Sequence, residues 1–216
     1  PASKPPFKPK EISEPKPFGG LLRAIDGYPG EPVTRAALRL LPLVFTRPGE
    51  LRLAEWAEFD LDRATWSIPS QRMKMKQPHI VPLSAQAVTI LRELHPLTGR
   101  RRLVFPSLRS RDRPMADATL TVALRRLGFT RDEVVPHGFR ATARTLLDEV
   151  LGVRPDLIEH QLAHAVKDPN GRAYNRTAHL AERPDARFAD LTVGIVEQPG
   201  QSRRCLAEFQ LAAGTG

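Results

Sequence analysis

Four residues in three short phrases have the chemistry to act on a phosphodiester: Arg47 in FTRPGELRLAEW, His137 and Arg140 in PHGFRATARTLL, and Tyr174 in QLAHAVKDPNGRAYNR. A guanidinium grips phosphate oxygens through a planar fork of donors. An imidazole holds or moves a proton near neutral pH, and a phenol can attack phosphorus. Together these types imply breaking and exchanging strands of DNA.

Each residue has a local setting and a plainer alternative. Arg47 precedes Pro48, which disfavours helical geometry at residue 47 and suits the first turn of a following helix. Arg47 is thus expected at a helix junction, with Glu50 aiming its guanidinium; the alternative is an ordinary surface ion pair. His137 and Arg140 stand three apart at the start of an amphipathic stretch, so they share a helix face and can meet one phosphate. An HxxR pair also arises by chance on solvated faces, and its weight comes from its company. Lys74, in RMKMKQPHIVPLS, falls on an expected hairpin turn, where an ammonium can protonate a leaving oxygen. Lys76 is its rival, and the alternative is a turn that only touches phosphate backbone. His164 closes IEHQLAH, with His160 one helical turn earlier; one of the two is then a core or surface histidine. The chain has one other tyrosine, Tyr28, in the turn DGYPG.

These residues need a scaffold, and 216 residues at 41% hydrophobic and 26% charged are enough for one sizeable core. The net charge of +9 favours a polyanionic partner. A single cysteine, Cys205, cannot close an intramolecular disulfide, which suits a reducing cytoplasm. No CxxC or HExxH spacing offers a metal site, and no apolar run approaches the roughly 20 residues that span a bilayer. Residues 1–17, with six prolines and four lysines, are expected to be an extended linker or arm, the stump of a junction to an upstream domain.

From Phe18 helical periodicity begins. FGGLLRAIDG is apolar on one side, and PVTRAALRLLPLVF is a buried helix expected to break at Pro42. WSIPS and HIVPL then suggest a small antiparallel sheet. Helices are expected to resume at AQAVTILRELH, at MADATLTVALRRLG with Asp117 capping the first turn, at HGFRATARTLLDEVLG and at DLIEHQLAH. The fold class is therefore mainly α with a small antiparallel sheet, α+β.

Read as a set, FTRPGELR, RMKMKQPHIVPLS, HGFRATARTLL, and IEHQLAH followed by AYNR resemble the successive boxes of the tyrosine recombinases, the phage integrase family, and most of all integrases of the P4-like, genomic-island type. The likeness covers residues 18–182, which would be the catalytic domain. It implies that Arg47, Arg140 and His164 bind the non-bridging oxygens of the scissile phosphate. Lys74 would protonate the departing 5′-oxygen. His137 would accept the nucleophile's proton or help to hold the phosphate, and Tyr174 would form a 3′-phosphotyrosyl link. Arg72, Lys76, Arg144 and Arg172 would lie against DNA. Neither a nucleotide cofactor nor a metal is implied.

Duplex DNA bearing attachment sites is the implied partner, with assembly to a tetramer on DNA, an accessory excision factor and a nucleoid-associated location in bacterial cytoplasm. The family usually carries an N-terminal clamp domain, and the chain is expected to be a fragment that keeps only the Pro/Lys-rich residues 1–17 of the junction to it. It departs from the family after Arg183, where residues 183–216 form a divergent tail without a recognisable closing helix. Competing readings are a type IB topoisomerase, a DNA-binding module without catalysis, and an RNA-binding protein, the last lacking aromatic stacking motifs. Substitution of His160 is expected to reduce strand cleavage far less than substitution of His164; equal loss at both would show that the histidine has been misplaced.

Overall fold

Amphipathic periodicity of about 3.6 residues becomes seven α-helices among the described residues. The computed structural model describes residues 15–73, 76–110, 112–150 and 152–163. In chain order they are α1 (Pro15–Asp26), α2 (Pro32–Val44), α3 (Pro48–Arg52), β1 (Phe59–Asp60), β2 (Thr65–Ile68), β3 (His79–Pro82), α4 (Ala85–Thr98), α5 (Thr119–Arg126), α6 (Gly138–Thr145) and α7 (Pro155–Gln161). Short 3₁₀ turns lie at Trp56–Glu58 and Ser70–Arg72. The expected α+β class is the class observed.

The long apolar helix α2 is the axis of the core, with α1, α4, α5 and α6 packed around it. Leu38, Leu40 and Leu41 are buried, as are Phe18 and Phe139, which meet edge-to-face with centroids 6.3 Å apart. Glu31 caps α2, accepting the Thr34 amide at 2.9 Å. Pro42 does not interrupt the helix as expected, since α2 continues to Val44. Lying in the last turn, it leaves little helix beyond it to disrupt. The prolines before Phe18 were expected in an extended arm, yet α1 begins at Pro15. First-turn amides have no intrahelical acceptor, so a proline loses nothing there.

The sheet is a β1-β2-β3 meander with antiparallel pairings, in register at Phe59↔Trp66 and Trp66↔Val81. The strand β1 was not anticipated, because two residues are too short to show an alternation. Trp66 is fully buried and stacks on Phe59 at 5.0 Å, while its indole N–H donates to Glu58 Oε2 at 3.0 Å.

Two further differences concern helix ends. Asp117 does not cap α5, which starts after Ala118 with no side-chain cap. Its carboxylate instead lies 2.6 Å from Arg52 Nε. The helix expected over HGFRATARTLLDEVLG ends as α6 at Thr145 and widens into a π-type turn at Leu146–Val150. Replacing the wholly buried Leu38 by alanine should cost about 2–5 kcal/mol in chemical denaturation. The same truncation at Val122, which is 44% exposed, should stay within about 0.5 kcal/mol.

Candidate active site

The last carbonyls of a helix lack intrahelical donors and carry partial negative charge. At the ends of α2 and α7 those carbonyls face one side chain. Arg140, on the first turn of α6 and only 6% exposed, donates from Nη1 to Phe45 O and from Nη2 to Leu162 O, the latter at 2.6 Å. Left-handed residues stand at both helix ends. Phe45 itself has φ 53°, and Ala163, directly after Leu162, has φ 50°. Such a conformation costs a residue with a Cβ roughly 1–2 kcal/mol. The two helices end in this way while their carbonyls converge on one guanidinium.

Arg47 follows two residues after Phe45 and is the N-cap of α3, with Pro48 in the first turn as its sequence implied. The Glu50 carboxylate, buried at 5% exposure, accepts the Arg47 amide at 2.8 Å and its Nη1 at 2.7 Å. The pair is therefore not a solvated surface bridge, and Glu50 orients Arg47. Arg47 Nε and Nη2 have no partner among the described residues, so two donors remain for an oxygen-bearing ligand. Arg72, expected on DNA, is engaged inward: Nη1 donates to Glu50 O at 3.2 Å and Nη2 to the Glu58 carboxylate. Glu58 was not anticipated, because a carboxylate serving a 3₁₀ turn, an indole and an arginine has no sequence signature.

The electrostatics tie the two arginines together. The Arg140 pKa is lowered to about 10, first by burial and next by the nearby positive charge of Arg47, with Glu50 and Glu159 opposing. Arg140 stays protonated at neutral pH. Because its folded pKa lies below the unfolded one, the charge weighs against folding until pH rises past about 10, where the cost is relieved. An anion held between Arg47 and Arg140 would push the pKa back up.

Of the other residues singled out, His137 is exposed at the N-cap of α6, one turn before Arg140. Arg144 is exposed and donates from Nε to Glu159 Oε1 at 2.8 Å. Lys76 is exposed in a left-handed conformation, φ 48°. His160 is 3% exposed on α7, a core position. Lys74, His164, Arg172 and Tyr174 lie outside the described residues, as does the tail 183–216. His79, which the sequence did not mark out, begins β3 and shares a 3.2 Å hydrogen bond with Gln161 O, beside the Leu162 carbonyl that serves Arg140. Among the described residues no cluster of His, Cys, Asp or Glu could hold a metal ion, and no helix is long and apolar enough to cross a membrane.

Arg47 and Arg140 are two guanidiniums close enough to act on one another's charge, and such groups have the chemistry to grip an oxyanion. Arg140→Lys tests how the site is built. A lysine keeps the charge but cannot span both carbonyls, so denaturation should show a loss of about 1–3 kcal/mol. An unchanged midpoint would mean that water can replace the second donor.

The model of the phage integrase family matches residues 18–179. The chain is 40% identical over 180 residues to the integrase of Enterobacteria phage P4, an alignment covering 77% of this chain and 41% of that one. It thus spans about two fifths of that relative's length. The integrase from mycobacterium phage Brujita shares the fold at a TM-score of 0.60 and 20% identity, over 96% of this chain and 65% of that one. A lambda integrase dimer bound to a COC′ core site superposes at a TM-score of 0.56 with 16% identity, over 80% of this chain and 51% of that one. With most of its length matched by the family model and a relative at this identity, the chain belongs to the phage integrase family.

Proposed function

We propose that this chain carries the strand-cleaving activity of a tyrosine-type site-specific DNA recombinase, and that residues 18–182 form its catalytic domain. The observation that carries the proposal is the convergence of Arg140 with the Phe45–Arg47 segment, 95 residues away from Phe45 in sequence, in a buried site where the two guanidiniums repel one another. Burial lowers the Arg140 pKa most, and Glu50 and Glu159 oppose the repulsion. A phosphodiester between the two would balance it.

In this reading Arg47, Arg140 and His164 hold the non-bridging oxygens of the scissile phosphate. The Tyr174 oxygen attacks phosphorus and gives up its proton, with His137 accepting it or helping to hold the phosphate. Lys74 donates a proton to the departing 5′-oxygen, with Lys76 as its rival. A 3′-phosphotyrosyl link and a free 5′-hydroxyl result, and attack by a 5′-hydroxyl of a partner strand reverses the step. No bond energy is lost, so neither a nucleotide nor a metal is needed. A phenol with a pKa of about 10 is a poor nucleophile at neutral pH, and a cationic surround favours its ionised form. Most of the catalysis then comes from charges already in place.

Arg144, Arg172 and Lys76 would lie along the DNA backbone. Arg72 reaches DNA only if it leaves Glu58; its present bonds support Glu50. The partner is duplex DNA carrying attachment sites, and exchange of strands between sites requires several copies, a tetramer with an accessory factor setting direction. The action would take place at the bacterial nucleoid.

Covalent trapping tests the proposal. The protein and its Tyr174→Phe variant are incubated with nicked duplexes spanning candidate element junctions and resolved in SDS. An SDS-resistant adduct is expected with the parent alone. Salt-sensitive binding without an adduct would instead make this a DNA-binding module that does not cleave.

A further inference from the structure

The connection between β2 and β3, residues 69–78, is fastened at each shoulder to the support of one of the two arginines. Near its start Arg72 donates from Nη1 to Glu50 O at 3.2 Å, and the Glu50 carboxylate holds Arg47 at 2.7 Å. Directly after it His79 pairs with Ile68 in the sheet register, while its ring crosses to the end of α7 and bonds Gln161 O at 3.2 Å. The next carbonyl along, Leu162 O, is the one that Arg140 Nη2 reaches.

The fastening at His79 is a buried one, for His79 is 2% exposed and Gln161 1%. A carbonyl oxygen can only accept, so His79 Nε2 carries the proton and donates. Losing that donor would strand a carbonyl at the end of a helix, where the last carbonyls lack intrahelical partners and solvent is shut out. An apolar β-branched residue would suit a buried strand position better, but it could not supply the N–H.

Tight hairpin turns of about 2–5 residues fix their own geometry. Residues 69–78 exceed that length, so their course depends on what holds the two ends. Between the fastenings the chain carries Lys74 and Lys76, the candidates for the group that gives its proton to the 5′-oxygen.

We propose that His79 is a positioning residue for strand cleavage. Through Gln161 O it holds the lysine-bearing connection in a fixed relation to the end of α7 that Arg140 engages, so that proton donor and phosphate-binding arginines keep one geometry. The proposal rests on the cleavage reading above. In that step the tyrosine oxygen bonds to phosphorus, the bond from phosphorus to the 5′-oxygen breaks, and the lysine's proton passes to the 5′-oxygen. His79 serves the last of these events.

The test compares leaving groups. The full chain and its His79→Gln and His79→Asn variants are given nicked junction duplexes with oxygen or with sulfur at the 5′-bridging position, and SDS-resistant adduct is followed in time. A thiol, with a pKa of about 8.5, departs as the thiolate and needs no proton. The glutamine amide nitrogen falls where Nε2 does and should keep the parent's ratio of oxygen to sulfur rates. The asparagine amide falls where Nδ1 does, short of Gln161 O. It should lower that ratio about tenfold or more, since misplacing a general acid forfeits much of its ~10²–10⁴-fold effect. Each ratio is taken within one preparation, so the share of folded protein cancels. Equal loss at oxygen and sulfur in His79→Asn, or a parent-like ratio in it, would overturn the proposal and leave the cleavage reading intact. A lowered ratio in His79→Gln would overturn it as well. A parent that yields no adduct with either duplex would overturn the cleavage reading and the proposal together.

Discussion

The Arg140 guanidinium between the carbonyls of Phe45 and Leu162 is the contact that gives the described region its centre. Helix ends are poor neighbours in a protein interior, since each presents unpaired carbonyls and a partial negative charge. Arg140 answers both ends at once, and α2 and α7 are thereby brought to the same place as α6. The charge that does this is itself costly to bury, as its lowered pKa records. Adding Arg47 nearby raises the cost further. A fold that accepts like charges in its interior holds a positive potential of fixed shape, and an anion entering it meets donors that need not reorganise.

Rigidity reaches this site from the sheet. Trp66 and Arg72 both donate to Glu58, Arg72 also donates to Glu50 O, and the Glu50 carboxylate holds Arg47. Every link is charged or bonded to a charged group, which makes each stronger than a neutral hydrogen bond. The sheet is small, but through this chain of contacts it braces the arginine that faces outward. The structural role of Arg72 follows from its place in the middle of the chain.

Helix positions were readable because apolar spacing survives in the sequence whatever the tertiary contacts, as in α2 and α4. The Arg47 junction was readable because Pro48 restricts the residue before it. The partners of Arg140 were not, since a side chain bonded to backbone carbonyls leaves no residue type to find at the other end. Asp117 misled for a related reason: it has a capping residue's chemistry, and the distant Arg52 claimed it. Pro15 and Pro17 looked like linker because composition cannot tell a first helical turn from an extended arm. Glu58 and His79 escaped notice because their partners lie on other elements.

One backbone angle has a wider consequence. Ala163 holds φ 50° where a glycine would sit without strain. Glycine would also swivel freely, and the direction in which the chain leaves α7 would become a distribution instead of a heading. Alanine is the smallest residue that resists that swivel. The strain it stores is modest, and it fixes the backbone turn that closes α7.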